Sequence, residues 1–137
     1  MCGFAGIYYN QHGAGRHLRE RLMRMGDLIA HRGPDDHGIW TDQREQVGFV
    51  HRRLSIIDLE SGHQPMCGGG FVVAYNGEIY NYLELRRQLE DHWTFKTRSD
   101  TEVILAAYSR WGEECVRHFR GMFAFALWDE EQQVLLV

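Results

Sequence analysis

The chain has 137 residues, of which 44% are hydrophobic and 25% charged, and these proportions predict one soluble globular domain with a core of its own. The net charge of −4 argues against a basic surface for nucleic acid or an anionic membrane, and no apolar stretch is long enough to span a bilayer. Three cysteines without paired spacing argue against a disulfide framework, and the N-terminus has no signal-peptide pattern, so we expect a cytoplasmic protein.

The first half of the chain is predicted to contain several strands, one helix and two loops. Apolar residues at helical spacing from Leu18 to Ile29 predict the helix, and Gly33-Pro34 predicts the first loop. In chain order the elements are a strand over 3–9, a helix over 16–29, a loop over 31–38, strands over 39–41 and 47–52, a continuation of the sheet over 54–59 and a long loop over 60–70. The run Gly68-Gly69-Gly70 favours a flexible turn over a phosphate-binding loop.

The second half begins with a strand that is predicted to end at Asn76-Gly77. Ser99 and Glu102 have the spacing of a capping box, which predicts a helix that runs on to Gly112. The other elements are a helix over 80–91, a brief strand over 94–97, a short helix over 113–118, a strand over 122–128 and a return strand over 133–137. Because the chain ends inside an apolar strand, we expect a truncated domain. The irregular order of strands and helices predicts an α+β fold with antiparallel sheet.

Cys2 is the first candidate for chemistry, because it follows the initiator methionine. Removal of Met1 would leave a thiol and a free α-amino group on one residue. An α-amino group titrates at about pH 8, so it serves as the base for the thiol without help from a histidine. On position alone, the interpretation of Cys2 as a small apolar residue at the start of a strand is favoured.

Six short motifs occur in order along the chain, and together they favour the interpretation of Cys2 as a nucleophile. They are Cys2-Gly3-Phe4-Ala5-Gly6, His31-Arg32-Gly33-Pro34-Asp35, Arg53-Leu54-Ser55-Ile56-Ile57-Asp58, Asn76-Gly77-Glu78-Ile79-Tyr80-Asn81, Ser99-Asp100-Thr101-Glu102 and Gly121-Met122-Phe123-Ala124-Phe125-Ala126. The series resembles the glutaminase domain of glutamine-hydrolysing asparagine synthetases, which are class II, N-terminal-nucleophile glutamine amidotransferases. The resemblance covers the whole chain, so residues 1–137 are interpreted as a type-2 glutamine amidotransferase domain, incomplete and without its synthetase domain. It implies the αββα sandwich of this hydrolase fold, with two antiparallel sheets between helical layers.

The resemblance also implies which residues carry the reaction. Cys2 attacks the side-chain carboxamide of glutamine and forms a thioester, which water hydrolyses to release glutamate after ammonia has left. Asn76 and the backbone N–H of Gly77 form the oxyanion hole, which such intermediates require. Without the other motifs, Asn76-Gly77 would be interpreted as an ordinary hairpin turn.

Substrate binding is implied for a second group of residues. Arg53 binds the α-carboxylate of glutamine, for which a guanidinium offers two parallel hydrogen bonds. Asp100 binds the α-ammonium group with help from Glu78, and the backbone near Leu54 and Ile56 lines the same pocket. The competing interpretations are a solvated strand residue for Arg53 and a helix cap for Asp100.

No metal site is expected, although His31, Asp35, Asp36 and His37 lie close together in the sequence. Their loop setting and the family resemblance argue against a metal cluster, and Cys67 is interpreted as structural, like Cys115. No cofactor is expected for this part of the protein.

The expected partners are glutamine and an ATP-dependent synthetase domain, covalently linked or separate, that uses ATP and Mg²⁺ to amidate aspartate. Neither nucleic acid nor membrane is expected, and the oligomeric state, including a homodimer of the full protein, stays open. Two alternatives also stay open. One is a sister amidotransferase that delivers nitrogen to a sugar phosphate, a purine precursor or an envelope glycan, and the other is a non-catalytic interaction module.

Overall fold

The computed structural model describes residues 2–10, 16–54 and 62–137, which form two compact units. The first unit contains three strands and one long helix, followed by a short 3₁₀ helix over Ala30–Arg32. Its elements are β1 (Gly3–Tyr8), α1 (Leu18–Leu28), β2 (Asp36–Thr41) and β3 (Val47–Arg53). The predicted continuation of the sheet over 54–59 falls almost entirely outside the described residues.

The sheet of the first unit is antiparallel, with β3 between β1 and β2. Its register pairs Gly3 with Arg52 on one side and Asp36 with Arg53 on the other. Leu18 and Leu22 of α1 are fully buried against Val50 of β3, as their helical spacing predicts. β2 begins three residues earlier than predicted, because the backbone of Asp36 to Gly38 pairs with β3 instead of forming a loop.

The second unit contains four strands and two helices, followed in sequence by a 3₁₀ helix over Gly112–His118. Its elements are β4 (Met66–Gly68), β5 (Phe71–Ile79), α2 (Tyr82–Leu89), α3 (Asp100–Trp111), β6 (Gly121–Asp129) and β7 (Val134–Leu136). The sheet is antiparallel in the order β4-β5-β6-β7. The predicted α+β class with two antiparallel sheets and helices is therefore confirmed.

Helix α3 is the centre of the core of the second unit. Every residue from Asp100 to Tyr108 is buried, so the helix is enclosed on all sides rather than on the one apolar face that its spacing predicts. The core cluster joins α3 to α2 and to the sheet through, among others, Leu85, Val73, Tyr75 and Leu127. Burial of this kind fixes the first residues of α3, and with them the residues that lead into the helix.

Two sequence predictions in this unit are wrong, for local reasons. The loop predicted over 60–70 is wrong at its end, because Met66–Gly68 form β4. Gly69 and Gly70, with φ of 62° and 82°, form the predicted turn, which is the two-residue turn of a β4–β5 hairpin. Residues 94–97 form no strand, because the backbone N–H groups of Lys96 and Thr97 donate to the Glu102 carboxylate. In the described part of the chain, no helix combines the length and the apolar character needed to cross a membrane.

Candidate active site

Cys2 lies directly before β1, and its side chain contacts the backbone at the end of β3. The Leu54 N–H donates to Cys2 Sγ across 3.3 Å, and Sγ lies 3.6 Å from the Leu54 carbonyl oxygen. The Arg32 guanidinium donates to the Cys2 carbonyl oxygen across 3.1 Å. The end of β3 therefore contacts the half-buried thiol, while Arg32, the last residue of the 3₁₀ helix, contacts the Cys2 backbone.

Arg53 is buried, so the interpretation of this residue as a solvated strand residue is wrong. The neighbouring Arg52 extends to α1, where it donates to the Gly26 carbonyl oxygen and to the Asp27 carboxylate. Because side chains alternate along a strand, Arg53 lies on the opposite face of the sheet from α1. A cleft of about 380 Å³ opens on the α1 face, and its lining includes Val50 and Arg52 but neither Cys2 nor Arg53.

Asp36 shares a sheet position with Arg53 and is held by a histidine. Its Oδ2 lies 2.7 Å from Nδ1 of His63. Partial burial raises the pKa of Asp36, but the hydrogen bond and charge of His63, the His37 N–H and the charge of Arg53 outweigh burial and hold the pKa below its usual value. Among the described residues, no three His, Cys, Asp or Glu side chains are grouped as metal ligands.

Asn76 and Gly77 lie within β5, so the alternative interpretation of this pair as a hairpin turn is wrong. β5 continues to Ile79, and its pairing with β6 runs without interruption through Gly77 opposite Phe123. Gly77 has a φ of 147°, and a Cβ there would lie 2.5 Å from the Cα of Phe123 and closer still to the Met122 carbonyl oxygen. Only glycine fits this close approach of two strands.

The edge of β5 beyond Val73 has no strand partner on the β4 side within the described residues, because β4 pairs only with Phe71–Val73. The Ile79 N–H donates to Asp100 Oδ2 across 3.2 Å, so it points away from β6. N–H groups two residues apart on a paired strand point the same way. The Gly77 N–H therefore also points to this open edge.

Asp100 begins α3 at the same edge of β5. Its Oδ2 accepts hydrogen bonds from the Tyr75 hydroxyl across 2.6 Å and from the Ile79 N–H. The helix cap is Ser99, whose side chain accepts from the Thr101 N–H, so Asp100 is not itself the cap. Asp100 is 7% exposed, and its carboxylate is oriented by two donors on β5.

Glu102 contributes to the site in a way that differs from the predicted capping box. Its carboxylate accepts from the backbone N–H groups of Lys96 and Thr97, from the Thr97 hydroxyl and from the Trp93 indole, at 2.7 to 3.2 Å. Burial raises the pKa of Glu102, but these hydrogen bonds outweigh burial and lower it overall. Glu102 therefore fixes the segment that leads into Ser99 and Asp100.

The remaining predicted residues divide between the units. Leu54 joins Cys2 and Arg53 in the first unit, whereas Ile56 lies outside the described residues. Glu78 is exposed on β5, in the second unit with Asn76, Gly77 and Asp100. Cys115 is fully buried, and burial raises the pKa of its thiol to about 12, so it remains a protonated core residue, in agreement with its structural interpretation.

Sequence reasoning did not identify Tyr75, Ile79 or the role of Glu102. The available signal for Tyr75 was strand alternation. A polar-tipped aromatic on the core-facing side of a buried strand requires a hydrogen-bond partner. The Ile79 contact had no signal, because it is made by the backbone.

The chain belongs to the glutamine amidotransferase domain family, whose profile matches residues 1–137. It is 47% identical over 98% of its length to "Asparagine synthetase [glutamine-hydrolyzing] 1" of Bacillus subtilis, covering 22% of that protein.

Two other relatives show the breadth of the similarity. "Asparagine synthetase B [glutamine-hydrolyzing]" of Escherichia coli is 40% identical over 100% of the chain and is covered to 24%. "Amidase chry2" of Gibberella zeae is 44% identical over 99% of the chain and is covered to 22%. The chain therefore spans between a fifth and a quarter of the length of these curated relatives.

Proposed function

We propose that this chain hydrolyses glutamine to glutamate and ammonia, with Cys2 as the nucleophile. The observation that carries the proposal is the contact of Cys2 Sγ with the Leu54 backbone, which fixes the thiol at the end of β3, next along the chain to the buried Arg53. The family membership supports the reaction class. The chemistry requires that Met1 be removed, because only then does Cys2 carry a free α-amino group.

The proposed reaction has two steps. The Cys2 sulfur bonds to the side-chain carboxamide carbon of glutamine, and the thiol proton passes to the α-amino group. The carbon–nitrogen bond then breaks, the proton leaves with ammonia, and a γ-glutamyl thioester remains. Water attacks the thioester, with the α-amino group as base, and glutamate leaves as the thiol recovers its proton.

The oxyanion of each tetrahedral intermediate is proposed to be stabilised by Asn76 and Gly77. The Asn76 side chain supplies an uncharged NH₂ donor, and the Gly77 N–H points to an edge of β5 that no described strand covers. Donors fixed in this way stabilise developing negative charge without reorganisation during the reaction.

The two charges of the glutamine amino-acid group are proposed to be bound by two buried residues. Arg53 binds the α-carboxylate, and Asp100 binds the α-ammonium group with help from Glu78, while the backbone at Leu54 and at Ile56 lines the pocket. The burial of Arg53 and Asp100 supports this assignment, since a charge shielded from water attracts an opposite charge more strongly than an exposed one does.

The ammonia is proposed to amidate aspartate to asparagine in an ATP- and Mg²⁺-dependent synthetase domain. The names of the Bacillus subtilis and Escherichia coli relatives, both asparagine synthetases, support this acceptor. A nitrogen acceptor other than aspartate is the second candidate, since the fungal relative of similar identity does not have the name of an asparagine synthetase.

Two assays test the proposal in order. Purified protein that begins at Cys2 is incubated with glutamine alone, and the release of glutamate and ammonia is measured. The expected result is hydrolysis without ATP, and an inactive protein would contradict the glutaminase assignment. The protein including all of its synthetase sequence is then given glutamine, ATP, Mg²⁺ and aspartate. Asparagine formation supports the first acceptor, and glutaminase activity without asparagine would contradict it.

A further inference from the structure

Tyr75 and Asp100 form a short side-chain contact at the edge of β5. The Tyr75 hydroxyl donates to Asp100 Oδ2 across 2.6 Å, and the Ile79 N–H donates to the same oxygen across 3.2 Å. Neither bond uses Oδ1. The two donors therefore fix the position of Oδ2. Because both oxygens belong to one planar carboxylate, the same donors determine the direction in which Oδ1 points.

The Tyr75 ring is fixed independently of this contact. Tyr75 is 3% exposed and belongs to the core cluster that includes Val73, Ile79 and Leu105. Burial, the hydrogen bond to Asp100 and the charge of that carboxylate raise the pKa of Tyr75 well above its usual value, so the hydroxyl keeps its proton. A rigid ring with a permanently protonated hydroxyl is a donor that always orients its acceptor.

We propose that Tyr75 is a positioning residue for substrate recognition, whose hydroxyl turns the Asp100 carboxylate so that Oδ1 receives the α-ammonium group of glutamine. This inference rests on the proposed glutaminase function. Tyr75 acts only through Asp100 and touches neither the substrate nor the reacting atoms. Its effect therefore falls on binding of the amino group and not on the bond-breaking steps.

The test compares two substrates, glutamine and 5-amino-5-oxopentanoate, which is glutamine without its α-amino group. In Tyr75→Phe the KM for glutamine should rise about tenfold with kcat changed less than about twofold, because one hydrogen bond to a charged group is lost from ground-state binding. The KM for 5-amino-5-oxopentanoate should stay unchanged, because this substrate has no group for Asp100 to bind.

The matched control is Tyr108→Phe, which removes the hydroxyl of a second buried tyrosine. Tyr108 lies on α3, two turns from Asp100. It should leave both KM values unchanged. Replacement of Tyr75 by 4-aminophenylalanine keeps the ring and a donor, and it should restore the KM for glutamine to nearly the wild-type value. This second variant also keeps the test decisive if Tyr75→Phe does not fold.

Three results would overturn the inference. An equal rise in KM for both substrates would show a general structural role, and an unchanged KM for glutamine would show that the hydroxyl does not matter. If the 4-aminophenylalanine protein keeps a raised KM for glutamine, a hydrogen-bond donor at this position is insufficient to orient Asp100. A wild-type protein without glutaminase activity would instead overturn the proposed function itself.

Discussion

The sulfur of Cys2 lies 3.3 Å from the amide nitrogen of Leu54, although the two residues are 52 positions apart in sequence. The contact is possible because β1 and β3 are antiparallel neighbours, with Gly3 opposite Arg52. Leu54, at the end of β3, therefore contacts the Cys2 thiol. The residue before Leu54 is the buried Arg53.

Cys2→Ala should abolish glutamine hydrolysis while the domain stays folded. The change removes the proposed nucleophile but leaves a small apolar residue before β1. Glutamate release measures activity, and thermal unfolding checks the fold. Cys67→Ala is the matched control, because Cys67 is exposed on β4 and has no proposed role. Wild-type activity in Cys2→Ala would show that another group attacks glutamine.

Asn76→Ala should lower kcat by about 10²–10³ and change KM much less, because one oxyanion donor is lost and the oxyanion exists only along the reaction path. Steady-state kinetics with glutamine measure both values. Asn81→Ala is the control, since the Asn81 amide instead joins the backbone at His118 and Arg120. It should lower stability and leave kcat nearly unchanged. An effect of Asn76→Ala on KM alone would make Asn76 a substrate-binding residue.

Arg53→Ala and Asp100→Ala should each weaken glutamine binding by roughly 1.5–3 kcal/mol, because each leaves one charge of the substrate without its partner. The measurement is KM together with kcat. Arg52→Ala is the matched control on the same strand, because Arg52 contacts α1 on the other face of the sheet. It should leave KM unchanged. If KM stays at the wild-type value in both test variants, the assigned pocket is wrong.

Glu102→Gln should destabilise the second unit by about 1–3 kcal/mol at neutral pH, because an amide cannot accept hydrogen bonds at both of its side-chain positions. The folded pKa of Glu102 lies below the ordinary 4.5, so its contribution is present above that value and is lost as pH falls through the folded pKa. Thermal unfolding of both proteins from neutral to acidic pH measures the difference. A difference that does not shrink at low pH would contradict the account.

The regular elements could be predicted wherever one periodicity dominates. The helical spacing of Leu18 and Leu22 and the apolar run of Met122–Trp128 each correspond to an observed helix or strand. The candidate residues Cys2 and Arg53 followed from motif resemblance. Cys2 contacts the Leu54 backbone and Arg53 is buried, and their roles in the reaction stay predictions. These features are local, so the sequence around each residue contains the information.

Predictions failed where a contact with residues outside the segment itself determines its structure. Asn76-Gly77 has the sequence of a turn, but pairing with β6 keeps it extended. Residues 94–97 have strand-like composition, but the Glu102 carboxylate takes their N–H groups. The Tyr75 contact with Asp100 joins positions 25 residues apart, and no local pattern specifies such a pair.

The central claim is that Cys2 acts as an N-terminal nucleophile on glutamine, and activation from a masked N-terminus tests it most directly. The protein is prepared with a leader that a protease removes to leave Cys2 as the first residue, and glutamate release is followed during cleavage while intact mass records the N-terminus. We predict no hydrolysis before cleavage and activity that rises in proportion to the fraction of chains that begin at Cys2, with none in cleaved Cys2→Ala. Full activity with the leader still attached would contradict the mechanism, because no free α-amino group would then be present on Cys2.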